Sequence, residues 1–224
     1  TTQYATASGG SKTVPTEAPA VRAAAVEVRR QLFELASPEL KTDPSSLALM
    51  GGEISSKEDP SKKIKITELA GLKRTGVIVG VGYRGPNPQN RVVNPFAAQF
   101  CEVEVNMKTG EVKILRFLAA QDSGRVMNRL TYDSQVIGGV TMGIGLALTE
   151  ARILDRNTTG KLVNKNWHDY KVPTALDVPA EITSLPIEPE DNEANTTGSK
   201  GLGEPVTIPT AAAVANAVRH ATGV

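Results

Sequence analysis

The most unusual run in the chain is Gly198-Ser199-Lys200-Gly201-Leu202-Gly203-Glu204-Pro205. Three glycines at this spacing let backbone N–H groups converge on an anion or an oxo group. The run is not a Walker loop, because the Gly-Lys-Ser/Thr order is absent, and no G-x-G-x-x-G follows a strand. Glu204 stands between a flexible glycine and a rigid proline, as a capping or structural acid or as a positioned general base. A second candidate is Ser8-Gly9-Gly10-Ser11 with Thr13, which runs into a helix start at Thr16-Glu17-Ala18-Pro19. Free N–H groups at a helix start favour an anionic ligand, although an ordinary loop and cap explains the same residues. The third candidate is Leu130–Glu150, where Val136, Val140, Ile144 and Leu148 keep a helical period around Gly138, Gly139, Gly143 and Gly145. Each interior glycine costs a helix about 1 kcal/mol relative to alanine. Another backbone, or a flat ligand, must therefore lie against this helix, and for any single glycine close helix–sheet packing serves equally well.

These segments need a scaffold. Val21, Ala24, Ala25, Val28, Leu32 and Leu35 predict a helix that ends near Ala36-Ser37-Pro38. Leu47–Ile54 and Lys62–Ile66 read as two short strands across a charged loop at 55–63, followed by a helical turn at Thr67–Leu72. Val103 and Val105 alternate with Glu102 and Glu104, and Val112, Ile114 and Leu118 repeat the period of two. With Lys108-Thr109-Gly110 as the turn, this is a hairpin with one buried face, and its glutamates are exposed strand carboxylates. Asn157–Gly160 reads as a turn between strands, Val172–Pro179 as extended, and Glu188–Asn195 as an acidic surface loop. Pro209–Ala221 is the last helix, with Ala211, Val214, Ala215 and Val218 on one face. The expected class is α+β, with mixed or antiparallel sheets packed by the three apolar helices.

Composition excludes several functions. Lys and Arg number 25 against 24 Asp and Glu, so the formal charge is +1 and no strong field for nucleic acid or an anionic membrane exists. No apolar run approaches the roughly 18 residues of a membrane helix. Cys101, the single cysteine, cannot form an internal disulfide, and with only His168 and His220 no zinc spacing is available. The chain of 224 residues can bury a sizeable core, built of Ala, Val, Leu and Ile because aromatics make up only 4%. Trp167 and Tyr170 are read as packing residues. The polar start without Met is read as that of a fragment.

From Asp122 to Val224 the sequence resembles the C-terminal part of the molybdenum-binding subunit of the xanthine dehydrogenase/aldehyde oxidase family. The matching runs are Asp122-Ser123-Gly124-Arg125, Gln135-Val136-Ile137-Gly138-Gly139 through Gly143-Ile144-Gly145, Asp169-Tyr170-Lys171-Val172-Pro173, and Lys200-Gly201-Leu202-Gly203-Glu204-Pro205, in the family's order. The hairpin and Ser8–Ala25 also fit, so the resemblance covers nearly the whole chain and 1–224 reads as a portion of one cofactor-binding domain. It implies a molybdenum hydroxylase acting on an aldehyde or N-heterocycle with water as oxygen source. Glu204 resembles the catalytic base, whose pKa a dry pocket can raise toward working pH. Gln135 resembles a side-chain partner of the pterin, its amide both donating and accepting. Ser8, Gly9, Gly10, Ser11 and Thr13, with the helix start at Ala20 and Val21, resemble the segment that cradles the pterin and its phosphate. The resemblance also implies that Lys200, Gly201 and Gly203 fall beside the same cofactor. Asn128-Arg129 departs from the family's Asn-Pro.

The implied cofactor is molybdenum–molybdopterin, plain or as its cytosine dinucleotide, with the metal held by dithiolene sulfurs and no protein ligand. Iron–sulfur centres and FAD are expected only on other domains or subunits. The implied partners are an N-terminal lobe of the same subunit, iron–sulfur and flavin subunits, a small-molecule substrate and, through exposed apolar surface, a second copy. A cofactor-binding or assembly module that is inactive without the other lobe is the alternative reading. The expected location is cytoplasmic, or periplasmic if a preceding region carries an export signal.

Overall fold

The computed structural model describes residue 5, residues 7–187 and residues 191–224. The first part of the polar start and residues 188–190 of the acidic run lie outside these described residues. The chain divides into two compact units, residues 16–86 and residues 1–15 with 87–224.

In the unit of residues 16–86, α1 (Ala18–Leu40) buries Leu32, Ala36 and Leu40 against Leu47, Ile54 and Leu69. It continues through Pro38, beyond the expected end, and stops where Lys41 turns left-handed. The region expected as two strands contains three: β1 (Leu47–Met50), β2 (Glu53–Ser56) and β3 (Lys63–Lys65), in an antiparallel sheet ordered β1-β2-β3. Gly51 and Gly52 split the 47–54 run because both take positive φ, 57° and 81°, the geometry of a two-residue hairpin turn. The short α2 (Ala70–Thr75) follows, its first amide donating to Glu39 Oε1 at 2.9 Å. The apolar 77–81 run forms no regular element. It lies along α1 where Gly80 and Gly82 leave no Cβ to collide with the Ala20–Val28 stretch.

The other unit is built on a three-stranded mixed sheet ordered β4-β5-β6. The hairpin forms as expected, from β4 (Phe96–Val105) and β5 (Val112–Asp122), with a register shift between Glu102 and Val103. Glu102 and Glu104 are exposed, and Glu102 accepts from Arg116 Nε at 2.5 Å. The third strand, β6 (Glu181–Ile187), pairs parallel to β5 and carries Pro186, which an edge strand tolerates because one side needs no amide donor. Asn157–Gly160 turns between two residues joined by a single bridge, Leu154 and Leu162, and not between strands.

Two helices cover one face of this sheet: α3 (Arg129–Leu148) and α4 (Gly203–Thr222). Ile114, Phe117 and Ala119 of β5 pack with Tyr132, Val136, Val140 and Ile144 of α3 and with Val206 and Val214 of α4. The third apolar helix, α1, packs on the other sheet, so each sheet has its own cover. Helix α4 begins six residues before its expected start at Pro209. Pro205 sits in the first turn, where an amide donor is dispensable, and Pro209 is carried inside the helix. Tyr170 donates to Glu150 Oε2 at 2.7 Å and Pro173 closes on Gly145, so the 169–173 motif packs on the end of α3. Trp167, in contrast, is 90% exposed and is not a packing residue of this chain.

The helix glycines do two different things. A Cβ on Gly139 would meet Val206 at 2.8 Å, and one on Gly143 would collide with Thr210, so both positions exist to bring α3 against α4. A Cβ on Gly138 would meet nothing within 4 Å. Gly143→Ala should therefore destabilise the chain by about 1–3 kcal/mol through overpacking. Gly138→Ala should stabilise it by up to about 1 kcal/mol through helix propensity alone. Denaturant unfolding of both variants checks the opposite signs.

Candidate functional site

The site rests on how the end of β5 meets the start of α4. The turn Asp122–Arg125 lies antiparallel to Gly198–Lys200, with Lys200 N–H donating to Ser123 O and Arg125 N–H to Gly198 O, both at 2.7 Å. Gly124 has φ +64° and its missing Cβ is where Gly198 O passes, so only glycine serves there. Lys200 Nζ reaches Asp122 Oδ2 at 2.7 Å and Asp191 Oδ2 at 4.0 Å, and its side chain is 7% exposed. Asn195 Nδ2 donates to Ser199 O at 2.7 Å, fixing the approach to the glycines. Lys200 thus lines the cavity described next while its ammonium is committed to Asp122.

The loop of residues 8–13 closes on the same place. Ser11 takes a left-handed φ of +55°, a strained value for a residue with a side chain, and its Oγ accepts from Glu204 N–H at 2.8 Å. That hydroxyl satisfies one of the orphan donors at the start of α4. Gly201 packs on Ser11, where a Cβ would stand 3.3 Å from Ser11 Cβ and O. A Cβ on Gly10 would stand 3.9 Å from Glu204 Oε2, and Ser8 Oγ and Thr13 Oγ1 share a hydrogen bond of 2.6 Å. Glu204 is therefore not held in a loop between a glycine and a proline. It is the second residue of a helix, and its carboxylate is exposed.

Helix α3 supplies the facing wall. Asn128 caps it, accepting from Thr131 N–H at 3.0 Å, so the departure from Asn-Pro leaves the cap intact, while Arg129 pairs with Asp133 at 2.8 Å. Thr131, Gln135, Gly138 and Met142 follow at helical spacing along one stripe. Gly203 is small because Gln135 Oε1 would stand 2.6 Å from its Cβ. Deeper in, Tyr132 donates to Gln121 O at 2.9 Å, and burial pushes its phenol up to about 12.

Between these walls lies a cavity of about 570 Å³, within the range of small-molecule and cofactor sites. Ser8, Gly9, Ser11, Thr13, Gln135, Lys200, Gly203 and Glu204 line it, which brings together most of the residues expected to act. Gly10 and Gly201 stand behind the lining, shaping it through Ser11 and Glu204. Ala20 and Val21 belong to the first turns of α1 in the other unit, Ala20 half-buried and Val21 exposed. The sequence reading assigned no role to Ser123, Arg125, Met127, Thr131, Met142 or Ser199, which also line the cavity. The i, i+4, i+7 stripe on α3 was available as a signal; the pairing of 122–125 with 198–200 was not. Among the described residues no group of three His, Cys, Asp or Glu side chains is placed to hold a metal ion.

Over residues 1–179 the chain matches the family described as the molybdopterin cofactor-binding domain. It is 35% identical over 210 residues to the xanthine dehydrogenase molybdenum-binding subunit of Escherichia coli O157:H7, covering 92% of this chain and 28% of that protein. It is 40% identical over 129 residues to the aldehyde oxidoreductase molybdenum-binding subunit PaoC of Escherichia coli K12, covering 58% and 17%. Carbon monoxide dehydrogenase from Oligotropha carboxidovorans superposes with a TM-score of 0.85 at 25% identity, over all of this chain and 28% of that one. Quinoline 2-oxidoreductase from Pseudomonas putida 86 superposes with a TM-score of 0.82 at 25% identity, over 96% and 28%. The chain belongs to the molybdopterin cofactor-binding domain family of these molybdenum oxidoreductase subunits, and the cofactor of that domain is molybdenum–molybdopterin. It spans little more than a quarter of the length of the relatives it matches over most of its own.

The cavity suits such a group. Its lining carries hydroxyls, the amides of Asn128 and Gln135 and the Arg125 guanidinium, groups that meet heterocycle edges and phosphate oxygens. Ser123, 3% exposed, also lines it with its hydroxyl. No helix among the described residues is long and apolar enough to cross a membrane.

The ion pair under the site is expected to act as a unit. Lys200→Met should leave a partly buried Asp122 unpaired and cost about 3 kcal/mol. Adding Asp122→Asn should return a large part of that loss, which a double-mutant cycle by denaturant unfolding measures.

Proposed function

We propose that this chain supplies the general base and one wall of the pterin site of a molybdenum hydroxylase that oxidises an aldehyde or an N-heterocycle. The observation that carries this reading is the convergence of the 8–13 loop, Gln135 and the start of α4 on one cavity with Glu204 at its lining. When bound, the cofactor supplies the two-electron redox centre and the site of oxygen transfer. The residues of this chain hold and orient it: the hydroxyls of Ser8, Ser11 and Thr13 and the loop amides toward phosphate, and the Gln135 amide toward the heterocycle. Glu204 is the group that would take up the proton given off by the oxygen nucleophile, its helix turn kept in place by the hydrogen bond from its N–H to Ser11. An exposed carboxylate becomes an effective base only when substrate and cofactor exclude water from around it, which the open wall of this cavity leaves to the bound molecules. The remainder of the molybdenum subunit, together with iron–sulfur and flavin subunits that carry electrons away, completes the proposed assembly.

In the assembled enzyme Glu204→Gln is expected to lower kcat by at least roughly 10²-fold while molybdenum and pterin content stay at the wild-type level. Retained turnover would remove Glu204 from the role of base.

A second reading is a cofactor-binding half-site that is inactive by itself, for which the open wall of the cavity speaks. Elemental analysis and oxidised-pterin fluorescence of the purified chain separate the two. Near-stoichiometric molybdenum and pterin mean that this chain holds the cofactor alone; their absence until the remaining subunit is supplied means that it is one wall of a shared site.

A further inference from the structure

Helix α4 starts with an unusual deficit. Pro205 and Pro209 stand four residues apart, so the amide that would donate to the Pro205 carbonyl does not exist. In the turn that carries Glu204, Pro205 has no amide to donate, Glu204 N–H goes to Ser11 Oγ at 2.8 Å and Val206 N–H to Leu202 O at 3.3 Å. Such a start should fray or pivot unless something outside the helix holds it.

Gln99, half-buried on β4, does so with both ends of its amide. Its Nε2 donates to Val206 O at 2.7 Å, and its Oε1 accepts from Thr210 Oγ1 at 2.7 Å. A carbonyl can only accept, so Val206 O fixes which way the amide faces and leaves Oε1 toward the hydroxyl. The two points of attachment are one helical turn apart and lie on either side of Pro209. On their other side the same two residues, Val206 and Thr210, press on Gly139 and Gly143 of α3. The first turns of α4 are thus gripped between a strand side chain and a glycine face, with Glu204 projecting beyond the grip.

We propose that Gln99 is a positioning residue for Glu204, holding the proline-weakened start of α4 so that the carboxylate is presented to the cavity; this rests on the reading of Glu204 as the base. Gln99 touches neither cavity nor substrate and acts only through the helix.

The test uses the assembled, cofactor-loaded enzyme with Gln99→Met, which keeps the volume and removes both hydrogen bonds. The expected result is a kcat lower by roughly 10- to 100-fold at unchanged KM and unchanged molybdenum and pterin content. Hydrogen exchange, followed by mass spectrometry, should rise roughly fivefold or more in the peptide 203–210 and stay at the wild-type rate in 213–222. Thr210→Val, which leaves the bond to Val206 O, should act in the same direction but less, and adding it to Gln99→Met should cost nothing further. Wild-type rate and exchange in Gln99→Met would overturn the proposal. So would a rate loss matched by equal loss of molybdenum, exchange rising evenly along α4, or additive losses in the double variant. Glu204→Gln measured alongside keeps the two ideas apart. If it turns over normally the base assignment fails, whereas if it is inactive while Gln99→Met is unaffected only the positioning role fails.

Discussion

The ammonium of Lys200 against the carboxylate of Asp122 is the contact on which the site-bearing unit depends. Asp122 ends β5, and Lys200 comes just before α4 after a long excursion through α3, the 150–180 segment and β6. Two backbone hydrogen bonds, which together make the bridge between Gly124 and Ser199, then set the two stretches in register. A largely buried pair of this kind gains little net stability, because desolvation offsets most of the Coulomb attraction. What it provides is registration: a slip of one residue would leave the ammonium facing no acid and the Gly198 carbonyl facing a side chain. With that register kept, the start of α4 has one location, and Glu204 with it.

From that fixed start, the small residues determine what can approach. Gly139 and Gly143 let α4 lie close against α3, and Gly203 leaves room for the Gln135 amide beside the first turn. The propensity lost at each helix glycine is offset by close contact at Gly139 and Gly143 but not at Gly138, which borders the cavity with open space above it. Ser11 joins the N-terminal loop to this frame through a single hydrogen bond made from a strained backbone. Backbone strain is commonly stored where a binding loop must hold a fixed shape.

Much of this was readable from residue order. Alternation at 96–120 gave the hairpin, and glycines among apolar residues at helical period gave α3 and the demand that something lie close to it. Proline and glycine punctuation is less legible. Gly51-Gly52 lies inside an apolar run yet makes a turn, and Pro209 suits a helix start yet lies inside a helix that begins at Gly203. Proline and glycine state what a backbone position permits, and neighbours decide which permitted conformation forms. The strand at 181–187 carries Pro186, which only its place at a sheet edge makes harmless, and that place is set by pairing with a distant strand.

The sequence by itself determined the chemical inventory: a glycine-rich acid, a serine–glycine loop, one amide on a glycine helix, near-zero net charge and no metal-ligand cluster. These depend on residue type and short spacing, which local sterics and polarity dictate. Only the tertiary structure decided that Glu204 sits in the first turn of a helix, that Lys200 is turned away into an ion pair, and that Ser11 and Gln135 meet at one cavity. Each of those facts links residues far apart in the chain, and the energy that fixes them comes from burial and hydrogen bonds between segments. No local propensity encodes which distant segment will be there.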